Sequence, residues 1–179
     1  MESDYISQFW EQKLRGLVLN DLPYGHANPK SNAKRHTLEL KVSDDISPIT
    51  EHFVLDNDNA FFALSLTVFK ILIYRYCGQP DGTIMIPVGL YDSKFNNVVD
   101  KILPAQTKVQ GGTLVSDLFR EILLEIRELQ KYSQGDIGNL IKDLKKENKA
   151  TDQILFTLET GSENRNNLEH CLTPPYDHN

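Results

Sequence analysis

The side chains of this chain best suited to proton transfer or nucleophilic attack are its five histidines, His26, His36, His52, His170 and His178, and its two cysteines, Cys77 and Cys171. An imidazole acts as a general base when a second group orients it and a substrate proton lies within hydrogen-bond reach. These histidines are scattered, with no His-His pair, and each reads as a surface residue. His170 and Cys171 have the composition of a thiol–imidazole pair, but neighbours in sequence rarely point at each other and the surrounding segment is polar. Asp56-Asn57-Asp58-Asn59 looks like the start of a calcium loop. The glycine and the downstream bidentate glutamate of such a loop are missing, and capping the helix that follows accounts for these residues better. There is no nucleophile elbow, phosphate-binding glycine loop, zinc-protease helix or dinucleotide fingerprint.

Charge and length narrow the classes further. The 179 residues are most simply one domain, long enough to enclose a substantial core. With 19 basic against 25 acidic residues the net charge is −6, which argues against a nucleic-acid partner, since affinity there comes mainly from neutralising phosphates. The basic cluster Lys142-Asp143-Leu144-Lys145-Lys146 is interleaved with acid and reads as a solvated helix face. Met1-Glu2-Ser3-Asp4 is acidic and resembles no signal peptide, and the cysteines have no metal-ligand spacing. A cytoplasmic protein with free thiols is expected.

Periodicity places the elements that must position any site. Residues 3–17 read as a helix with Tyr5, Ile6, Phe9, Trp10 and Leu14 near one face. Residues 20–34 form an irregular connection, and 37–42 alternate apolar and polar as a half-buried strand does. A short helix is expected at 46–53. From 60 to 76 the apolar residues occupy every side of a helical wheel, which predicts a helix covered on nearly all faces at the centre of the core. A bilayer span is the other reading of that run; Lys70 interrupts it, and it is shorter than the roughly 20 residues a membrane requires. Lys70 must then reach water or find a partner. Asp58 or Asn59 would cap this helix and Gly78 would close it.

Beyond it, 83–88 read as a strand, 89–101 as a polar loop, and 102–109 as a short or edge strand because of Pro104. Gly111-Gly112 turns into a long helix over 113–132, capped by Thr113 or Ser116. A short helix at 136–146, a final strand at 153–159 and a poorly ordered tail over 161–179 complete the chain. Strands separated by helices give an α/β arrangement.

Several of these residues follow one another in a recognisable order. Phe9, Trp10, Leu14 and Gly16, then Arg75, Tyr76, Cys77, Gly78 and Gln79, then Pro87, Val88 and Gly89 resemble the condensation domains of nonribosomal peptide synthetases. The family patterns there read YWxxxLxG, RYTGQ and GTPVAGR. Later patterns are fainter: Ile102-Leu103-Pro104-Ala105-Gln106-Thr107 stands where the family has GxFVNTLxLR, and Asp152 stands where RDxSRNPLFQV has arginine.

The resemblance implies part of the second, C-terminal lobe of a chloramphenicol acetyltransferase-like two-lobe fold, a mixed sheet covered by helices, with the partial lobe at 1–160 and the tail at 161–179. It implies amide formation between a carrier-bound thioester and an amine, with the catalytic HHxxxDG motif on the other lobe and no catalytic residue in this chain. Pro87, Val88, Gly89 and Tyr91 would then line a tunnel or contact a carrier protein. No cofactor would bind directly, phosphopantetheine arriving on the partner. Expected partners are a peptidyl carrier protein and adjoining synthetase domains, with no nucleic acid and no membrane. The alternative is a non-catalytic module that docks a synthetase subunit or carrier protein. Without the lobe it would normally join, the helix bearing Phe9 and Trp10 is expected to leave aromatic surface uncovered and, with the strand at 153–159, to favour a homodimer or a partner.

Overall fold

The computed structural model describes residues 2–18, 20, 22, 37–40, 58–88, 101–133 and 154–158. Within them the chain forms helix α1 (Glu2–Arg15), helix α2 (Asp58–Cys77), strands β1 (Ile84–Val88) and β2 (Lys101–Ala105), helix α3 (Val115–Tyr132) and strand β3 (Ile154–Leu155). The order across the sheet is β2-β1-β3, with β1 antiparallel to β2 and parallel to β3. This is an α/β arrangement with a small mixed sheet.

α2 owes its length to an unbroken run of helix-compatible residues and its end to Gly78. That glycine takes φ 71°, a left-handed conformation it adopts without strain, and its N–H bonds the Tyr74 carbonyl at 2.8 Å. The chain then reaches β1 within a few residues. Ala63, Leu66 and Thr67 bury one side of α2, whereas Val68, Leu72 and Tyr76 are 58%, 58% and 67% exposed. The all-round covering expected from the wheel is thus corrected: α2 keeps a bare apolar stripe at four-residue spacing. By length and composition alone, Asn59–Cys77 is apolar enough to cross a membrane. Here the opposite stripe packs into a core shared with the sheet and the other helices.

β1 is the middle strand, and Ile84, Met85, Ile86 and Val88 are all buried. Alternate residues Ile84, Ile86 and Val88 enter one cluster with Leu103 and Ala105 of β2, Trp10 and Leu14 of α1, and Leu118, Ile122, Ile126 and Leu129 of α3. These α3 residues recur at spacings of four, four and three, as an amphipathic helix requires. The hydroxyl caps expected at Thr113 or Ser116 are not used. Leu114, extended at φ −66° and ψ 139°, occupies the N-cap with no side-chain bond, and its carbonyl accepts from Asp117 and Leu118.

Two strands differ from their sequence patterns. Residues 37–40 have the alternation of a strand but no strand pairing, and Leu38 and Leu40 are 84% and 80% exposed. Alternation marks a pleated segment only when another strand hydrogen-bonds it, and among the described residues none does; 41 and 42 of the expected strand lie outside them. The strand expected over 153–159 shrinks to Ile154–Leu155 for a reason located on its neighbour. Phe156 donates its N–H to the Met85 carbonyl at 2.9 Å, and the next bond of a parallel ladder would come from the N–H of residue 87. Residue 87 is proline, so the ladder ends there. β2 fits the short or edge strand expected there, with Pro104 opposite Met85 and, among the described residues, a partner on one side only. The helices expected at 46–53 and 136–146, the loop residues 89–100 and the tail from 161 lie outside the described residues.

Candidate functional site

The polar groups that the fold draws inward gather at the foot of β1 and beside the end of β2. Lys70 is one turn beyond Leu66 on the buried stripe of α2 and is only 3% exposed. It finds the partner its position demands: its ammonium donates to the Gly82 carbonyl at 3.3 Å and the Ala105 carbonyl at 3.2 Å. Burial lowers its pKa from 10.5 to about 8; the Glu125 carboxylate pulls it back up, and the Lys13 charge pushes it down. Asn20 also reaches this spot, its Nδ2 donating to the Thr83 carbonyl, while the Thr83 N–H donates to the Val18 carbonyl at 2.9 Å. The segment after α1 is thereby tied to the residue preceding β1.

Glu125 lies on the buried face of α3 between Ile122 and Ile126. It accepts from Lys13 Nζ at 2.8 Å, Gln106 N at 2.7 Å, Thr107 N at 2.9 Å and the Thr107 hydroxyl. Burial alone would raise its pKa. The Lys13 charge, then the hydrogen bonds from Gln106, Lys13 and Thr107, outweigh that and hold it below the usual glutamate range. A carboxylate offers about four acceptor positions, and these donors fill them. Glu125 therefore fastens the chain leaving β2 to α3 and is not placed to take a proton from a substrate.

Beside this carboxylate an open groove of about 650 Å³ runs between Lys13, residues 106–108 and the α3 face bearing Glu121, Leu124 and Glu128. A much smaller concavity, about 10 Å³, lies against Lys70 and Asn20.

Of the contact residues suggested by resemblance, Pro87 is half-buried and Val88 is buried on β1, while Gly89 and Tyr91 lie outside the described residues. So do all five histidines and Cys171. Cys77 is a free, half-buried thiol at the end of α2. Among the described residues no group of three or more His, Cys, Asp or Glu side chains could hold a metal. The aromatic surface expected to be bare on α1 is covered. Trp10 is fully buried, its Nε1 donates to the Tyr132 carbonyl at 2.9 Å, and Phe9 stacks on Tyr132 at 4.2 Å between ring centroids. α3 supplies the cover that was expected from another lobe.

Lys13, Asn20 and Glu125 were not singled out in the sequence, although two carry a signal. Lys13 falls between Trp10 and Leu14, and Glu125 between Ile122 and Ile126, so each is a charge on an apolar face and requires a partner. Asn20, in an irregular connection, carries no such mark. Comparison with family models, with curated proteins and with solved structures gives no match for this chain.

Proposed function

We propose that this chain is part of the second lobe of a condensation-type domain of nonribosomal peptide synthesis, with a chloramphenicol acetyltransferase-like fold, and works together with a separate HHxxxDG-bearing lobe. The supporting observation is a juxtaposition. Of the residues carrying the resemblance, Trp10 and Leu14 on α1 share one core with Val88 on β1, and beside those motifs Val18 and Thr83 are hydrogen-bonded, whereas Arg75 and Tyr76 are exposed. In this reading the partner lobe orients or deprotonates the acceptor amine as it attacks the donor thioester, and the thiol of the donor's phosphopantetheine arm leaves. This chain supplies wall and carrier-protein contact around Pro87, Val88, Gly89 and Tyr91, binds no cofactor itself, and acts in the cytoplasm.

The open groove beside Glu125 favours a second reading, a non-catalytic module that docks a synthetase subunit or carrier protein. Binding experiments separate the two. Association with an HHxxxDG-bearing first lobe supports the condensation reading; tight binding to a carrier protein, with none to that lobe, supports the docking module.

A further inference from the structure

A small, half-open cavity at the foot of β1 has the size and polarity of a site for one small molecule. Asn20, Lys70, Tyr74, Gln79, Gly82 and Thr107 contribute to the lining of this cavity, whose volume is about 10 Å³. A single water needs roughly 10–15 Å³ on this measure and two or more polar partners.

Two groups in the wall have the polarity to hold a water. Asn20 is buried, and its amide orientation is set by the Thr83 carbonyl, which only Nδ2 can approach as a donor. Oδ1 then lies buried beside Gly82, where it accepts nothing from the described residues. Lys70 supplies the complementary group. An ammonium carries three donors, and the Gly82 and Ala105 carbonyls take two of them. A buried acceptor without a donor and a buried ammonium with a donor to spare therefore flank a cavity of one molecule's size. Gly82 contributes to the same close fit: a Cβ there would collide with Asn20 Oδ1, so a glycine is needed for Asn20 to sit where it does.

We propose that a single internal water is a fixed component of this protein, accepting from Lys70 Nζ and donating to Asn20 Oδ1. It joins α2 to the segment following α1 at the entrance to β1. Its role is to satisfy both groups, so that an ammonium can be held in the core without a carboxylate in direct contact. This inference is independent of the condensation reading.

A crystal structure of the full chain at a resolution that shows ordered solvent tests it directly. The expected result is a water within about 2.6–3.2 Å of both Lys70 Nζ and Asn20 Oδ1. An empty site, or an Asn20 amide turned so that Oδ1 faces elsewhere, overturns the proposal. In solution, Asn20→Leu, Lys70→Met and the double variant form a cycle in which the separate Asn20–Thr83 bond cancels. Since the bridge is lost only once, the double variant should unfold with an equilibrium constant about tenfold smaller than the two single effects predict together. Additivity within about twofold contradicts a shared water. Should either single variant fail to fold, the wild-type crystal structure decides alone.

Discussion

Lys13 on α1 and Glu125 on α3 are 112 residues apart in the chain and 2.8 Å apart at their charged atoms, with side chains only 11% and 10% exposed. Because Glu125 also receives the N–H groups of Gln106 and Thr107, one carboxylate connects three parts of the fold. Glu125→Leu strands a buried ammonium and two backbone donors. The expected loss is about 3–5 kcal/mol, as when one member of a buried pair is removed, measured by urea unfolding. The pH dependence follows from the sign of the shift. The folded-state pKa of Glu125 is depressed, so its contribution is present above the ordinary glutamate range and disappears as pH falls through the lower folded value. Acid titration of the unfolding free energy should show this component in wild type and not in Glu125→Leu.

Lys70 titrates with the opposite sense. Its folded-state pKa is lowered to about 8 from 10.5, so at neutral pH the charged form is held at a cost that is relieved as pH rises between those values. A shift of this size corresponds to about 3 kcal/mol, at roughly 1.4 kcal/mol per pH unit. Relative to Lys70→Met, wild type should gain stability on that order between pH 8 and pH 10.5. Parallel curves for the two proteins across this window would mean that Lys70 is not buried as charge.

The two faces of α2 should answer differently to the same substitution. Leu66 is fully buried, and Leu66→Asp adds the desolvation of a carboxylate to lost packing, enough to abolish cooperative unfolding. Leu72→Asp, on the exposed stripe, should change stability by no more than about 0.5 kcal/mol. Thermal melts of both variants test the orientation of the helix; equal effects would place the stripe wrongly.

Trp10 reports on the packing of α1. Trp10→Ala should cost about 3–5 kcal/mol, as large-to-small changes in a core do. Trp10→Phe, which keeps most of the apolar volume but loses the bond to Tyr132, should cost about 1 kcal/mol from that bond. In the wild-type chain the indole emission should be blue-shifted and poorly quenched by iodide. A solvent-like spectrum would mean that α3 does not cover it.

Much of this arrangement could be read from the residues. The apolar run and Gly78 located α2 and its end, and the spacing of Leu118, Ile122, Ile126 and Leu129 located α3, because a local period determines which face is buried. What depended on a distant neighbour could not be read. The shortness of β3 follows from Pro87 on another strand, and the covering of Trp10 follows from Tyr132, far along the chain. The alternation at 37–40 illustrates the converse, a valid local pattern with no strand to pair it among the described residues. The polar centre was legible only where a charge interrupts an apolar face, as at Lys70. Asn20 acts through a bond to Thr83 that no spacing announces.

Amide formation tests the condensation reading most directly. Donor and acceptor carrier proteins, each loaded with substrate on its phosphopantetheine arm, are incubated with this chain, with an HHxxxDG-bearing first lobe, and with the two together, and the peptide product is followed by mass spectrometry. The expected result is no product from either piece alone and product from the pair. Turnover by this chain alone, or none from a pair shown to associate, would contradict its assignment as the complementary lobe.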